Sequence, residues 1–134
     1  MTALDTNVLV RVITNDDRAQ AARAARFLRE QDRVFIAKTV LLELEWVLRS
    51  AYRINSNAII AALRNLLDVS NVEIEDEVEV ALAIEWFEKG MDFADGLHVA
   101  SADRVRNGVT NFATFDNSLR RKLQRFGVIE LADI

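Results

Sequence analysis

Hydrophobic and polar residues follow one another along the chain in a pattern that predicts helices joined by short connections. In six long stretches the apolar residues recur every three or four positions, with charged residues between them. This is the period of a helix with one buried face. The helices predicted in this way cover residues 18–31, 39–52, 55–67, 77–90, 94–108 and 117–127, and a further helix starts at Thr6.

Short apolar runs between these helices predict β-strands. Strands alternating with helices are typical of a parallel sheet with helices on both faces. We therefore expect a helix-rich α/β fold, a three-layer α/β/α sandwich with a short, mainly parallel central sheet. The chain has 134 residues, which is the size of one domain, and we expect residues 1–134 to form it. The predicted strands are residues 2–4, 33–37, 72–74, 109–115 and 128–131.

Composition excludes several classes of protein. The chain has no cysteine, which excludes disulfides, thiolate zinc sites and cysteine nucleophiles. Asp5 and Arg11 interrupt the apolar start, so no signal peptide is expected. No stretch approaches the roughly 18 apolar residues of a membrane span. We expect a soluble, cytoplasmic protein with no membrane association.

The charges are unevenly distributed. The formal net charge is −4, and ten acidic residues lie between Asp68 and Asp95 with only one base, Lys89. Lysine and arginine collect at residues 11–53 and 104–125. Basic regions of this kind bind an anionic polymer in some proteins and are simply solvated faces in others. A net negative charge argues against tight binding to nucleic acid.

Two carboxylates directly follow predicted strands. Asp5 comes after the first strand, where the apolar pattern predicts buried chain, and Asp116 comes after the fourth. Each also precedes a predicted helix, so helix capping explains both. The carboxyl ends of parallel strands, however, gather functional side chains at one edge of the sheet. Two strands that both end in Asp therefore favour a shared site.

Further acids lie on helices. Glu43 and Glu45 are roughly 200° apart around the predicted helix, so at most one faces a given site, and periodicity does not choose between them. Asp95 begins a predicted helix on the same face as apolar residues, with Asp92 three residues earlier. His98 lies one turn from Asp95, where we expect a partly buried packing residue or a residue that supports a ligand.

Several acids in an apolar fold require a cation, because buried carboxylates must be paired, protonated or bound to metal. Oxygen ligands favour Mg²⁺ or Mn²⁺ over zinc, and Mg²⁺ commonly joins carboxylates to phosphate oxygens. The chain has no phosphate-loop, dinucleotide-binding, zinc-protease or serine-hydrolase motif. This pattern favours metal-assisted chemistry on phosphates.

Four segments occur in this order along the chain: LDTNVLVRVITNDD, TVLLELEWVLRSAYR, DFADGLHVASA and NFATFDNSLRR. In this order and spacing they resemble the PIN-domain ribonucleases, and specifically the VapC-type toxins of toxin–antitoxin pairs. The resemblance covers essentially the whole chain. It implies that the four metal-binding acids, in chain order, are Asp5, Glu43, Asp95 and Asp116, and so selects Glu43 over Glu45.

The resemblance also implies supporting residues and an activity. Thr6 and Asn7 match positions that support Asp5, Thr114 matches the small hydroxyl residue before the fourth acid, and Asp92 is an extra acid that would hold metal through water. His98 receives no catalytic role. The implied activity is a Mg²⁺- or Mn²⁺-dependent endoribonuclease that cleaves RNA phosphodiesters with metal-activated water.

The partners implied by the resemblance are an RNA substrate, a second copy in a homodimer, and a cognate antitoxin. The antitoxin would block the acidic pocket with a basic or bulky segment. Arg11, Arg49 and Arg53 are candidates to hold the RNA backbone.

Two alternatives stay open at this point. One is a catalytically silent PIN-like module that only binds. The other is a phosphoryl-transfer or receiver-type α/β domain in which Asp5 is phosphorylated. The second needs a lysine beyond a later strand, and neither Lys38, before a helix, nor Lys122, within one, has that position.

Overall fold

The computed structural model describes residues 1–103 and 108–134, which form seven helices and five short strands. The predicted continuation of the sixth helix through residues 104–107 lies outside the described residues. The elements are β1 (Thr2–Ala3), α1 (Thr6–Thr14), α2 (Arg18–Glu30), β2 (Val34–Ile36), α3 (Lys38–Ser50), α4 (Ser56–Asp68), β3 (Val72–Ile74), α5 (Glu77–Glu88), α6 (Phe93–Asp103), β4 (Asn111–Phe112), α7 (Asn117–Phe126) and β5 (Glu130–Leu131).

All the strand pairs in the described residues are parallel. β2 lies between β1 and β3, with Val34 opposite both Thr2 and Val72. β4 pairs with β5, and Phe112 lies opposite Leu131. The prediction of a helix-rich α/β fold with a short parallel sheet is therefore confirmed.

The chain forms two compact units, Met1–Glu77 and Val78–Ile134. The prediction that residues 1–134 act as one domain stays a prediction. The first unit buries apolar side chains from the central strand and from α1, α3 and α4, all at most 1% exposed. These side chains are Leu9, Val34, Ile36, Leu41, Leu44, Leu48, Ile59 and Leu63.

The side chains that flank β3, those of Asn71 and Glu75, form hydrogen bonds with backbone groups at two helix ends in the first unit. The Asn71 side-chain amide donates hydrogen bonds to the carbonyl oxygens of Leu28 and Gln31, both at 2.9 Å, where α2 ends. Helix α3 has no side-chain cap of its own, and its Lys38 amide instead donates to Glu75 Oε1 at 3.1 Å. Since helix ends leave backbone groups unpaired, these bonds fasten α2 and α3 to the sheet.

A polar network joins α1, α2 and the end of α3. Arg11 donates to Asp16 Oδ1 at 3.0 Å and to Gln20 Oε1 at 2.6 Å. Asp16 also accepts hydrogen bonds from the Tyr52 hydroxyl at 2.7 Å and the Thr14 hydroxyl at 3.0 Å. These two bonds, followed by the Arg11 guanidinium, lower the pKa of Asp16 to about 2. The ionised carboxylate therefore holds three helices at one point.

The second unit packs α5, α6 and α7 around its own apolar cluster. Its buried members are Trp86, Met91, Val99, Ala100, Leu119 and Leu123. Helix α6 approaches α5 closely at Gly96, where an added Cβ would lie 3.2 Å from the Ala83 Cα. A side chain at position 96 would therefore push the two helices apart.

None of the helices in the described ranges is long and apolar enough to cross a membrane.

We expect Asp16→Asn to lower the melting temperature at neutral pH by a few degrees at most, because the network is exposed to solvent. A carboxyl pKa that is lower in the folded protein contributes stability above its ordinary value of 3.8. That stability is lost as the pH falls towards about 2. Thermal denaturation across this range should show the wild-type and variant curves converging.

Two further variants give this measurement its controls. Tyr52→Phe removes only the hydroxyl donor and should lower the stability with the same pH dependence. Asp32→Asn removes an exposed acid from the loop before β2 and should have no such effect. A constant difference between wild type and Asp16→Asn down to the lowest pH would contradict the role assigned to Asp16.

Candidate active site

Asp5 lies at the junction of β1 and α1 and is the N-cap of that helix. Its Oδ1 accepts a hydrogen bond from the Thr6 amide at 2.8 Å, and its Oδ2 accepts one from the Asn7 side chain at 3.3 Å. The expectation that Asp5 is buried is wrong, because Leu4 and Thr6 turn inward and leave Asp5 exposed. The bonds from Thr6 and Asn7 nevertheless orient the carboxylate towards solvent.

The Thr6 hydroxyl is buried next to Asp5. Thr6 is 5% exposed. Its Oγ1 is the one buried side-chain nitrogen or oxygen atom in the described residues without a hydrogen-bond partner. Buried polar groups normally bind a partner, which is either protein or water. The end of β1 is therefore followed by two polar groups, the Asp5 carboxylate and the Thr6 hydroxyl.

Glu43 and Glu45, which periodicity leaves equivalent, lie in very different surroundings. Glu45 is 2% exposed, and its Oε1 accepts a hydrogen bond from Arg49 Nε at 2.8 Å, one turn along α3. Glu43 is exposed to solvent. A buried carboxylate already paired with arginine is a poor ligand for a cation, so the surroundings favour Glu43 as the functional acid.

Asp92 and Asp95 lie at the start of α6. The helix begins at Phe93, one residue before the predicted start, and Asp92 Oδ1 accepts a hydrogen bond from the Asp95 amide at 3.1 Å. Asp92 is exposed and Asp95 is half-buried. Asp92 therefore caps the helix, and its predicted contact with metal through water stays a prediction.

Asp116 is the N-cap of α7, as the capping explanation requires. Its Oδ1 accepts a hydrogen bond from the Leu119 amide at 3.1 Å. Its own amide donates to Thr114 Oγ1 at 3.1 Å, and Arg120 donates to the Thr114 carbonyl at 3.1 Å. Thr114 thus supports Asp116 through the backbone.

Capping and function do not exclude each other at these positions. A carboxylate has two oxygens, each of which accepts more than one hydrogen bond, and the caps made by Asp92 and Asp116 use Oδ1. The positive end of a helix dipole also stabilises the charged form of the cap. Helix capping therefore holds these acids in place while leaving oxygen atoms for a ligand.

The acids of the second unit influence one another. Burial raises the pKa of Asp95, and the negative charges of Asp92 and Asp116 raise it further. His98 and Lys122 act in the opposite direction and lower the pKa of Asp95. Asp92, Asp95 and Asp116 therefore share one region of negative potential, of the kind that a cation relieves.

Two residues near these acids differ from expectation. His98 is exposed, so the prediction of a partly buried histidine is wrong; α6 turns Leu97 and Val99 inward instead. From the sequence, Lys122 matters only to the receiver-type alternative. In the structure its charge lowers the pKa of Asp95. The one cue in the sequence is its place on the helix that Asp116 begins.

Direct metal ligation is not visible in the described part of the chain. Residues 1–103 and 108–134 contain no group of three or more histidine or acidic side chains that could hold a metal ion. The chemistry of the donors does fit a hard divalent cation, because all the predicted ligands are carboxylates. The four predicted metal ligands, Asp5, Glu43, Asp95 and Asp116, stay predictions.

Two of the three candidate RNA-binding arginines have other partners. Arg11 binds Asp16, and Arg49 binds Glu45. Arg53 is exposed, with a backbone φ of 54°. A phosphate would have to compete with a carboxylate for Arg11 and Arg49, which weakens their assignment.

Parallel strands followed by helices with aspartate N-caps define an α/β protein with acidic side chains beyond its strand ends. Residues 2–123 match the PIN domain family, so the chain belongs to that family. Membership indicates a nuclease-type function, and PIN domains typically use divalent metal ions. No curated protein and no solved structure matches the chain.

We expect Asp95→Asn to raise the melting temperature in metal-free buffer at neutral pH by roughly 1–3 °C. The pKa of Asp95 is raised in the folded protein, so wild-type stability falls as the pH rises through that pKa. The advantage of the variant should disappear below pH 3.8, the ordinary value, where the acid is protonated in both states. Thermal denaturation in EDTA measures this, and a variant less stable than wild type at neutral pH would contradict it.

Proposed function

We propose that the protein is a Mg²⁺- or Mn²⁺-dependent endoribonuclease that hydrolyses RNA phosphodiester bonds and acts as the toxin of a toxin–antitoxin pair. The observation that carries the proposal is the match to the PIN domain family over residues 2–123. The resemblance of the four acidic segments to VapC-type toxins supports the finer assignment.

The residues proposed to bind the metal and act in catalysis are Asp5, Glu43, Asp95 and Asp116. Asp5 is supported by its ordered carboxylate and by the neighbouring Thr6 hydroxyl that lacks a partner. Glu43 is supported by its exposure, in contrast to the paired Glu45. Asp95 and Asp116 are supported by the raised pKa of Asp95, to which burial contributes most and the charges of Asp92 and Asp116 contribute further.

The supporting residues have separate tasks in this proposal. Asn7 and the Thr6 amide orient the Asp5 carboxylate, and Thr114 fixes the backbone of Asp116. Lys122 brings a positive charge near Asp95, where an RNA phosphate would otherwise meet only carboxylates. When bound, the cation would neutralise the acids and polarise the scissile phosphate.

The proposed partners follow from the same assignment. RNA is the proposed substrate, and the cytoplasm is the proposed location. A cognate antitoxin would reach the acidic site with a basic segment, since opposite charges steer association. We also propose that the protein acts as a homodimer.

We expect purified wild-type protein to cut RNA in the presence of Mn²⁺ and to lose this activity in EDTA. Asp5→Asn, Glu43→Gln, Asp95→Asn and Asp116→Asn should each lower kcat/KM by about a hundredfold or more, because each removes charge from the transition-state site. Initial rates on a panel of labelled RNAs measure the effect.

Two matched acids serve as controls for these variants. Asp103→Asn removes an exposed acid from α6, the helix that carries Asp95, and should leave kcat/KM unchanged. Glu45→Gln should reduce thermal stability, because it breaks the ion pair between the buried Glu45 and the half-exposed Arg49, while keeping the catalytic rate. Equal cleavage by wild type and Asp5→Asn would contradict the proposal.

A catalytically silent PIN-like binding module is the second candidate. It is favoured by one observation, which is that capping alone accounts for the positions of Asp5, Asp92 and Asp116. RNA binding without cleavage in any divalent metal would select this candidate. The receiver-type alternative gains no support from the family match.

A further inference from the structure

Phe115, in the turn between β4 and α7, is unusually exposed. It is 80% exposed, the highest value among the exposed large hydrophobic side chains of the described residues. Burying a phenylalanine side chain stabilises a protein by about 1.5–3 kcal/mol. A ring left in solvent gives up that stabilisation. Single exposed apolar side chains are common on protein surfaces, so the turn that holds the ring and the helix that follows it decide whether the ring has a function.

The turn that carries Phe115 is ordered on both sides of it. The Thr114 hydroxyl accepts a hydrogen bond from the Asp116 amide, and the Thr114 carbonyl accepts one from Arg120. Asp116 in turn caps α7 through the Leu119 amide. Because three hydrogen bonds hold the backbone around Phe115, the ring is presented to a ligand with little loss of backbone entropy on binding.

The helix that follows Phe115 is strongly basic. Helix α7 contains four basic residues and no acidic one. One of these, Lys122, is close enough to act on the charge of Asp95, and Arg121 and Arg125 are exposed. Arg120, from the same helix, also contacts the Thr114 carbonyl next to Phe115 in the chain. An exposed aromatic ring combined with nearby cations binds single-stranded nucleic acid, because bases stack on the ring and phosphates pair with the cations.

We propose that Phe115 stacks on a base of a single-stranded RNA substrate while the cations of α7 bind its phosphates. The inference rests on the proposed ribonuclease function and adds to it a residue that positions the substrate. Asp116 follows Phe115 directly in the chain, so the stacked base lies beside one of the proposed catalytic acids. Phe115 therefore positions single-stranded RNA and excludes a fully paired duplex, whose bases are unavailable for stacking.

A protein contact is the competing explanation for the exposed ring, and ring chemistry separates the two. Base stacking needs a flat aromatic face, whereas an apolar protein contact tolerates leucine. Phe115→Leu keeps the apolar character and removes the π-face. Phe115→Trp keeps a face of larger area. These two variants leave the acids, the turn bonds and the charges of α7 unchanged.

The experiment measures binding of a short, unstructured, fluorescently labelled oligoribonucleotide by anisotropy, in EDTA so that no cleavage occurs. We expect Phe115→Leu to bind about fivefold to a hundredfold more weakly than wild type, and Phe115→Trp to bind at least as tightly. A blunt RNA duplex should bind with the same affinity to all three proteins. Val78→Ala, which trims an exposed apolar residue of α5, should change nothing.

The results that overturn the inference are equally defined. They are equal binding of the oligoribonucleotide by Phe115→Leu and wild type, absence of RNA binding by wild type, or a wild-type dimer that dissociates in Phe115→Leu by analytical ultracentrifugation. Cleavage assays in Mn²⁺ separate this inference from the proposed function. RNA binding that depends on the ring, without cleavage, contradicts only the proposed nuclease function. RNA cleavage by Phe115→Leu with an unchanged KM contradicts only the stacking role of Phe115.

Discussion

The capping of helix N-termini by aspartates is the interaction on which the rest of the site depends. Asp5 and Asp116 each follow a strand and cap the helix that comes next, and Asp92, which follows helix α5, caps α6. Each carboxylate satisfies a backbone amide that the helix leaves unpaired, and the helix dipole stabilises its charge. The fold thus keeps ionised oxygen atoms at fixed positions at the ends of its elements. Asp95, in the first turn of α6, adds a carboxylate whose pKa is raised by burial and then by the charges of Asp92 and Asp116, while His98 and Lys122 act in the opposite direction among the described residues. A divalent cation would reduce the repulsion between these carboxylates.

The helices were predictable because their signals are local. Residues 18–31 and 55–67 were predicted as helices, and α2 and α4 fall within a residue of those bounds. Asp17 and Asn55 cap them through hydrogen bonds from amides three positions ahead, and a sequence pattern shows both members of such a pair.

The ends of the strands were harder to predict. The predicted strand 109–115 shortens to Asn111–Phe112, since pairing with β5 ends there and the turn around Thr114 begins.

The long-range polar contacts could not be predicted from the sequence. Glu75 caps α3 from a position 37 residues away, and Tyr52 reaches Asp16 across 36 residues. No periodicity connects such partners. The choice between Glu43 and Glu45 had the same limit, because both lie at the edge of one apolar face and only the burial of Glu45 beside Arg49 separates them. The candidate acids can be named from the sequence. The exposure of Asp5 and the effect of Lys122 on the pKa of Asp95 can be seen only in the tertiary structure.

The central claim is that acids held at or near helix N-termini, Asp95 among them, bind a divalent cation. Mn²⁺ binding, followed by the loss of the free-ion signal in electron paramagnetic resonance, tests it most directly because it needs no substrate. Wild-type protein should bind Mn²⁺ saturably and in competition with Mg²⁺, and Asp95→Asn should bind it at least about tenfold more weakly. Asp103→Asn should bind as wild type does. Equal Mn²⁺ affinity in wild type and Asp95→Asn, or no saturable binding by wild type, would contradict the account.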